Sequence, residues 1–287
     1  MKKKIIQALK IIGIIWLLSI IISSMFSYSN FDSGNIAVIP IYGEITTIGS
    51  KGFTVGASAE KIIADLDEAY NNPNIEAIIL DINSPGGSGV AADEISQKIK
   101  GSEKLTVAVI RDYGTSAAYW IASSSDHVYA NRLSLTGSIG VIGSFLDFSG
   151  FIQEYNITYQ RYVSGELKDM GSAFKQPSTK EKEIYQKLID DMQNIFIEEV
   201  AMNRNLTISE VEKMATGQIY LGIEAKELGL VDELGTKEDA VEYIETQLNI
   251  TSDLVRYEEK INFMDLLSMK TGEMGKFINP GSSILFK

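Results

Sequence analysis

Three short and nearly continuous apolar segments constrain the fold of this chain more than any other feature. They lie at 35–43, 75–82 and 105–110, and such runs are typical of strands that are buried on both faces of a parallel sheet. Two segments with apolar residues at helical spacing separate them, at 58–69 and 91–100. Strands that alternate with helices predict an α/β domain with a mostly parallel sheet.

In such sheets, functional residues lie in the loops at the carboxyl ends of the strands. One of these loops, at 83–89, follows the second apolar segment and contains Gly86 and Gly87. Glycines allow a close approach of a ligand to the backbone, and their N–H groups can form an anion-binding nest. A plain glycine turn is the simpler alternative, and a phosphate-binding loop fits poorly because no Gly-Lys-Ser/Thr follows.

The second loop carries Ser116, which follows the third apolar segment and a predicted turn at 111–115. A helix is predicted to begin directly after it, at 117–124. A serine at such a junction is exposed, and the helix N-terminus offers unpaired N–H groups to a developing oxyanion. The simpler alternative is a serine that caps the helix. Beside the glycine loop, Ser116 predicts an acyl-transfer site.

A serine nucleophile needs a base, and the composition leaves few. The chain has no cysteine and a single histidine, which excludes disulfides, thiolate sites and most zinc sites. His127 begins a predicted strand at 126–130, and the helix before it would carry it toward the opposite end of the sheet, away from Ser116. A lysine is the alternative, because burial favours its neutral amine.

Most lysines of the central region lie among acids on the predicted helix 178–203, which indicates a solvated face. Lys168 differs, since it lies in a loop just after a predicted strand at 157–163. An ordinary surface lysine paired with Asp169 is the simpler interpretation. The glycine-rich segment 135–143 is predicted to be buried, and its Ser138 hydroxyl is placed to support a lysine.

The N-terminal segment 1–26 is typical of a membrane anchor. It has Lys2 to Lys4 followed by a mainly apolar run, and the positive flank favours a cytoplasmic N-terminus with the remaining chain outside. A cleaved signal peptide is the alternative, although no Ala-x-Ala-like site follows. The net charge of −12 argues against a nucleic-acid binder.

The remaining chain divides into three predicted parts. A polar linker occupies 27–34, one domain occupies 35–250, and a C-terminal extension occupies 251–287. The extension holds a possible strand up to residue 257 and an amphipathic piece at 263–269.

Five motifs occur in an order that resembles the short form of the signal peptide peptidase A family. They are 83–87, Ser116 followed by 119–121, 136–141, 164–169 and 229–235. This family comprises membrane-anchored serine peptidases with a Ser-Lys dyad and a Clp-protease/crotonase-like fold of repeated β-β-α units. The resemblance covers about 35–245, and the 52-residue separation of the serine and the lysine also fits the short form.

The resemblance implies a role for each site residue. Ser116 would be the nucleophile, Lys168 the general base, and Ser138 the hydroxyl that orients the lysine. Gly86 and Gly87, with the Ala117 N–H, would form the oxyanion hole. The resemblance also implies remnant signal peptides and other short membrane-near peptides as substrates, no metal or cofactor, and a ring-like homo-oligomer whose dyads line an interior chamber.

One departure concerns the two residues after the serine, which are usually Gly-Gly in the family and are Ala117-Ala118 here. A positive φ at either alanine would be strained and would distort the oxyanion hole. A helical turn would only narrow the substrate pocket and favour small side chains, which cleavage of a peptide library would test. Two alternative functions remain: a catalytically impaired homologue that acts as a membrane-bound scaffold, and a crotonase-like acyl-CoA enzyme.

Overall fold

The computed structural model describes residues 7, 10–20, 34–48 and 56–257. Residues 10–20 form a helix that precedes the domain. None of the helices in these ranges is both long enough and apolar enough to cross a membrane. The rest of the predicted anchor, most of the linker and the amphipathic piece at 263–269 lie outside the described residues.

Ten strands and eight helices can be delimited in the described domain. The strands are β1 (Ile36–Tyr42), β2 (Ile45–Thr46), β3 (Ala57–Ser58), β4 (Ala77–Ser84), β5 (Leu105–Thr115), β6 (His127–Ala130), β7 (Leu135–Gly137), β8 (Ile219–Leu221), β9 (Glu233–Leu234) and β10 (Leu254–Arg256). The helices are α1 (Ala59–Asn71), α2 (Gly89–Lys100), α3 (Ala117–Ser123), α4 (Ser149–Glu154), α5 (Thr179–Arg204), α6 (Ile208–Met214), α7 (Gly222–Glu227) and α8 (Lys237–Leu248).

The main sheet has the strand order β10-β1-β4-β5-β6-β9, and all of these neighbours are parallel. Strand β7 pairs with the last residues of β5, and β8 is antiparallel to β7. Strands β2 and β3 form a separate small sheet. The predicted α/β class with a mostly parallel sheet is confirmed, and the arrangement fits a Clp-protease-like fold.

Both faces of the main sheet are covered, which explains the continuous apolar runs. Alternate residues of β4, such as Ile78 and Leu80, belong to the larger core together with residues of α1, α2, α3 and α5. Ala77 and Ile79 belong to a second core that includes residues of α8. Each fully buried aliphatic side chain contributes about 1.5–3 kcal/mol to folding, so the central strands are the most strongly constrained part of the chain.

Two contacts fix helix α3, which begins directly after Ser116. The Trp120 ring stacks on Phe196 of α5 with the ring centroids 5.0 Å apart. The hydroxyl of Tyr119, which has no exposed surface, donates to the carbonyl oxygen of Leu230 at 2.9 Å. Since both partners belong to the core, the position of the helix and of the serine before it is set by tertiary packing.

The structure corrects three local predictions. Strand β5 continues through the predicted turn at 111–115, where its last residues pair with β7. The segment 157–163 is not a strand, because a strand requires a hydrogen-bonded neighbour and the described residues provide none there. The segment 135–143 is buried only in its first part, since Ile139 has no exposed surface whereas Ile142 is 87 % exposed.

Residues 141–178, which we call the arm, contain many exposed large apolar side chains. The most exposed is Tyr162 at 89 %, and Leu146 is 70 % exposed. Helix α4 lies within the arm and has no buried residue. The part of the chain that the structure describes therefore leaves this apolar surface uncovered.

Candidate active site

Ser116 has a strained backbone conformation at the junction between β5 and α3. Its φ is 55° and its ψ is −125°, a combination that L-residues rarely adopt and that recurs at functional sites. Its N–H donates to the carbonyl oxygen of Gly137 at 2.8 Å. The side chain makes no capping hydrogen bond, so the alternative that Ser116 caps α3 is wrong. The hydroxyl is partly exposed and has no partner in the described part of the chain.

The glycine loop lies directly against this junction. A β-carbon on Gly86 would lie 2.9 Å from the Ser116 β-carbon and 3.1 Å from the Ala117 nitrogen, and one on Gly87 would lie 2.1 Å from the Ile45 carbonyl oxygen. Both glycines have positive φ, 103° and 152°. A side chain at Gly86 would separate this loop from Ser116, and one at Gly87 would separate it from Ile45 of β2, so both approaches require glycine.

The N–H groups of Gly87 and Ala117, on the two sides of this junction, have no acceptor among the described residues. The Gly86 N–H is taken by the Ser84 hydroxyl at 3.1 Å, and the Ser88 N–H donates to the Ile45 carbonyl oxygen at 2.8 Å. Gly86 therefore contributes its conformation to the predicted oxyanion hole, whereas Gly87 and Ala117 offer the donors.

Ala117 and Ala118 are the first residues of α3, and neither has positive φ. The alternative of a strained backbone at these alanines is therefore wrong. Both belong to the larger core, with Ala118 fully buried and Ala117 4 % exposed. The predicted narrowing of the substrate pocket rests on the small exposed surface of Ala117 and stays a prediction.

Ser138 lies close to the nucleophile, because Gly137, the residue before it, accepts the hydrogen bond from the Ser116 N–H. The Ser138 φ is 52°, and its N–H donates to the Gln218 carbonyl oxygen at 2.8 Å. Its hydroxyl has no partner within the described ranges. The structure thus gathers Gly86, Gly87, Ser116, Ala117 and Ser138 at one edge of the sheet.

Lys168 is not gathered with them. It lies in a turn of the arm with an exposed side chain, and no hydrogen bond of the described residues joins it to Ser116. The neighbouring Glu166 pairs with Lys180 near the start of α5 at 2.8 Å. Phe196, which contacts helix α3, lies 16 residues further along α5, or about 24 Å at 1.5 Å per residue. The described contacts therefore do not join Lys168 to Ser116, and the predicted dyad stays a prediction.

An ion-pair network holds the turn that carries Lys168. Arg161 binds both carboxylate oxygens of Asp169, and Lys175 bridges Asp169 and Glu181 at 3.0 and 2.6 Å. Hydrogen bonds from Arg161 and then Lys175 hold the pKa of Asp169 well below its usual range. Asp169 is thus paired with two other cations, and the alternative that it pairs with Lys168 is wrong.

His127 lies at the opposite end of the sheet, as predicted. It pairs in register with Val107, eight residues before Thr115, which corresponds to about 26 Å along β5. Its ring stacks on Tyr243 with the centroids 4.3 Å apart. The separation of about 26 Å along β5 excludes His127 as the base for Ser116.

Two positioning groups were not anticipated from the sequence, Ser84 and Thr115. Their hydroxyls contact the backbone of the glycine loop, and the available signal was a hydroxyl residue at the end of each of two neighbouring strands. No cluster of three or more His, Cys, Asp or Glu side chains in the described ranges is arranged to hold a metal ion.

Residues 98–251 match peptidase family S49. A Methanocaldococcus jannaschii protein provisionally named as protease MJ0651 is 33 % identical over 195 residues, which is 67 % of this chain and 63 % of that protein. An Enterococcus faecium protein provisionally named as signal peptide peptidase SppA is 33 % identical over 199 residues, 68 % of this chain and 58 % of that protein. Protease 4 of Haemophilus influenzae is 34 % identical over 221 residues, 76 % of this chain and 35 % of that protein.

The chain spans less than two thirds of the length of each of these relatives. The fold defines an α/β protein in which a serine lies beside a glycine loop, and the family match makes the chain a member of peptidase family S49. It is a signal peptide peptidase A-like protein, which confirms the resemblance inferred from its motifs.

Proposed function

We propose that this protein is a membrane-anchored serine endopeptidase in which Ser116 is the nucleophile and Lys168 the general base. The observation that carries the proposal is the strained Ser116 beside the N–H groups of Gly87 and Ala117, for which the described residues provide no acceptor. Strain of this kind is stored where a side chain must be presented in one direction. Free donors next to a nucleophile are what an oxyanion hole requires.

The proposed reaction has two halves. The Ser116 Oγ attacks the scissile carbonyl carbon while the neutral amine of Lys168 takes the hydroxyl proton, and the displaced electron pair rests on the carbonyl oxygen, held by the N–H groups of Gly87 and Ala117. Collapse breaks the C–N bond, and the leaving amine receives the proton from Lys168. Water, deprotonated by the same amine, then hydrolyses the acyl-enzyme. Ser138 orients the lysine.

We propose that Ser116 and Lys168 come together when copies of the chain assemble into the predicted ring-like homo-oligomer. The arm that carries Lys168 is held to the start of α5 by ion pairs, and many of its apolar side chains are not covered by the described residues. Exposed apolar patches of this kind mark interaction surfaces. A second copy would cover the arm, exclude water from the lysine and so favour its neutral amine.

The proposed substrates are remnant signal peptides and other short membrane-near peptides. Support comes from the family and from the name of the Enterococcus faecium relative. The catalytic domain is proposed to lie outside the cytoplasm, with segment 1–26 as a single-pass anchor and lipid as its partner.

The placement in the membrane is tested by fractionation of cells that make the full chain. We expect the protein to stay in the membrane after an alkaline carbonate wash, and added protease to digest the catalytic domain from outside intact protoplasts. A control variant with Leu17→Arg and Leu18→Arg should be lost from the membrane fraction, because each arginine at the centre of a span costs about 2.5–3.5 kcal/mol. Recovery of both proteins in the cytosol would refute the anchor.

The enzymatic proposal is tested with a fluorescent fluorophosphonate, which phosphonylates activated serines. We expect one label per chain, mapped to Ser116 by peptide mass spectrometry. Absence of the label would favour the scaffold alternative. The structural argument for that alternative was strain at Ala117 and Ala118, and neither residue has positive φ. Turnover of an acyl-CoA without peptide cleavage would favour the crotonase-like alternative.

A further inference from the structure

We propose that Thr115 is a positioning residue that joins the two halves of the oxyanion hole, an inference that rests on the proposed function. Its hydroxyl donates to the Pro85 carbonyl oxygen at 3.0 Å. Thr115 is the last residue of β5, directly before the nucleophile, and Pro85 directly precedes Gly86. This single hydrogen bond therefore connects the loop that follows β4 with the loop that follows β5.

The backbone of the glycine loop shows why this connection matters. The Gly86 N–H donates to the Ser84 hydroxyl at 3.1 Å. The Ile45 N–H donates to the Gly86 carbonyl oxygen, and the Ser88 N–H donates to the Ile45 carbonyl oxygen, both at 2.8 Å. The Thr115 hydroxyl donates to the Pro85 carbonyl oxygen. Hydrogen bonds to Ser84, Ile45 and Thr115 therefore fix the backbone of this loop. The Gly87 N–H lies between these tied groups, and no described residue accepts a hydrogen bond from it.

The two proposed donors come from different strands, and hydrogen-bond strength falls steeply when a donor is misdirected. Gly87 belongs to the loop after β4, whereas Ala117 follows β5. The pairing of β4 with β5 ends at Ser84 and Gly114, and beyond it the contact between Gly86 and Ser116 sets only a minimum distance between the loops. The Thr115 hydroxyl supplies the attraction that keeps both N–H groups directed at one oxygen.

The burial of these groups supports a positioning role. Thr115 is 6 % exposed and Ser84 is fully buried, so neither is placed to contact a peptide substrate extensively. A buried hydrogen bond of this type contributes modestly to folding, but its geometry is well defined because water does not compete for it. Thr115 acts through Gly87 and is not itself a catalytic residue.

The experiment compares Thr115→Val, which removes the hydroxyl at similar volume, with Thr106→Val. Thr106 is a matched control because it is also buried in β5 and its hydroxyl also donates to a carbonyl oxygen, that of Lys104 at 3.1 Å. It lies nine residues from Thr115, or about 30 Å along the strand. The full chain in detergent is treated with the fluorophosphonate, and the maximal rate of phosphonylation and the half-saturating concentration are measured separately.

We expect Thr115→Val to lower the maximal rate about 10-fold and to change the half-saturating concentration by less than about twofold, because the donors act on the transition state. Thr115→Ser should recover most of the rate, and Thr106→Val should leave both constants unchanged. Ser84→Ala, which releases the Gly86 N–H, should reproduce the rate effect and provides a second test if Thr115→Val does not fold.

Two results separate the possible failures. If the wild-type chain is not labelled at Ser116, the proposed function is wrong and this inference is lost with it. If the wild type is labelled, and Thr115→Val and Ser84→Ala react at the wild-type rate or lose rate only in proportion to folded protein measured by circular dichroism, the positioning role of Thr115 is refuted.

Discussion

Replacing Ser116 with alanine will lower peptide hydrolysis by about 10⁴- to 10⁶-fold, as expected for removal of a nucleophile that acts together with its base. Labelling by the fluorophosphonate will be lost in the same variant. The reason is that Ser116 directly precedes the Ala117 N–H and lies against Gly86, next to the Gly87 N–H. Ser124→Ala serves as the control, because Ser124 ends the same helix and its hydroxyl only donates to the Ile121 carbonyl oxygen at 2.7 Å.

The same position provides a test of stored strain. At φ 55° and ψ −125°, Ser116 has the conformation of the first central residue of a type II′ turn, which glycine adopts without steric cost. Relief of such strain is worth about 1–3 kcal/mol, and the extra freedom of glycine in the unfolded chain offsets about 0.5–1 kcal/mol. We therefore expect the Ser116→Gly variant to be more stable than the Ser116→Ala variant, with a free energy of unfolding higher by about 1 kcal/mol.

Both Ser116 variants lack the hydroxyl, so their difference in stability reports the backbone alone. It is measured by denaturant titration of the full chain, with equal detergent and protein concentration for the two variants. Equal midpoints, or a less stable glycine variant, would show that the Ser116 backbone is not strained. That result would also remove the structural argument for its role as a nucleophile.

Co-assembly of two inactive variants will restore activity if the dyad forms between copies. Ser116→Ala keeps the lysine and Lys168→Ala keeps the serine, so each is inactive alone. In a ring with one serine and one lysine at each contact, random mixing of equal amounts gives a functional pair at about one contact in four. We therefore expect about a quarter of the wild-type activity after co-expression. The physical reason is the position of Lys168 on the arm, away from the Ser116 of its own chain.

The controls for this experiment separate charge from chemistry. Lys168→Arg keeps the positive charge but does not provide a neutral base, because arginine stays protonated, and it should be as inactive as Lys168→Ala. Lys187→Ala removes an exposed lysine that pairs with Asp191 on α5 and should retain full activity. If co-expression restores nothing while Lys168→Ala is inactive, the lysine acts within its own chain through movement of the arm. Full activity of Lys168→Ala would refute the lysine base.

Much of the fold could be predicted from local patterns. The apolar runs gave β1, β4 and the first part of β5, because strands buried on both faces contain few polar residues. The amphipathic segments gave α1 and α2. The prediction of a strand at 157–163 was wrong, because it rested on the local pattern alone. An alternation suited to a strand does not provide the neighbour with which a strand must pair.

The site was predicted in part. The serine and the glycine loop could be placed side by side, because the carboxyl ends of adjacent parallel strands meet at one edge of a sheet. The role of Gly86 could not be resolved, since its N–H is taken by Ser84 only in the folded chain. The link through Thr115 was also invisible, because its acceptor lies 30 residues away in sequence.

The sequence by itself determined the class of fold, the order of the motifs, and the junction at which Ser116 is presented. These follow from the nearest neighbours along the chain, which govern local periodicity, helix starts and turns. The tertiary structure alone decided which N–H groups remain free, how far Ser116 is strained, and that Lys168 lies apart from it. Such properties depend on groups distant along the chain that compete for the same donors, acceptors and space, and no local pattern records the outcome.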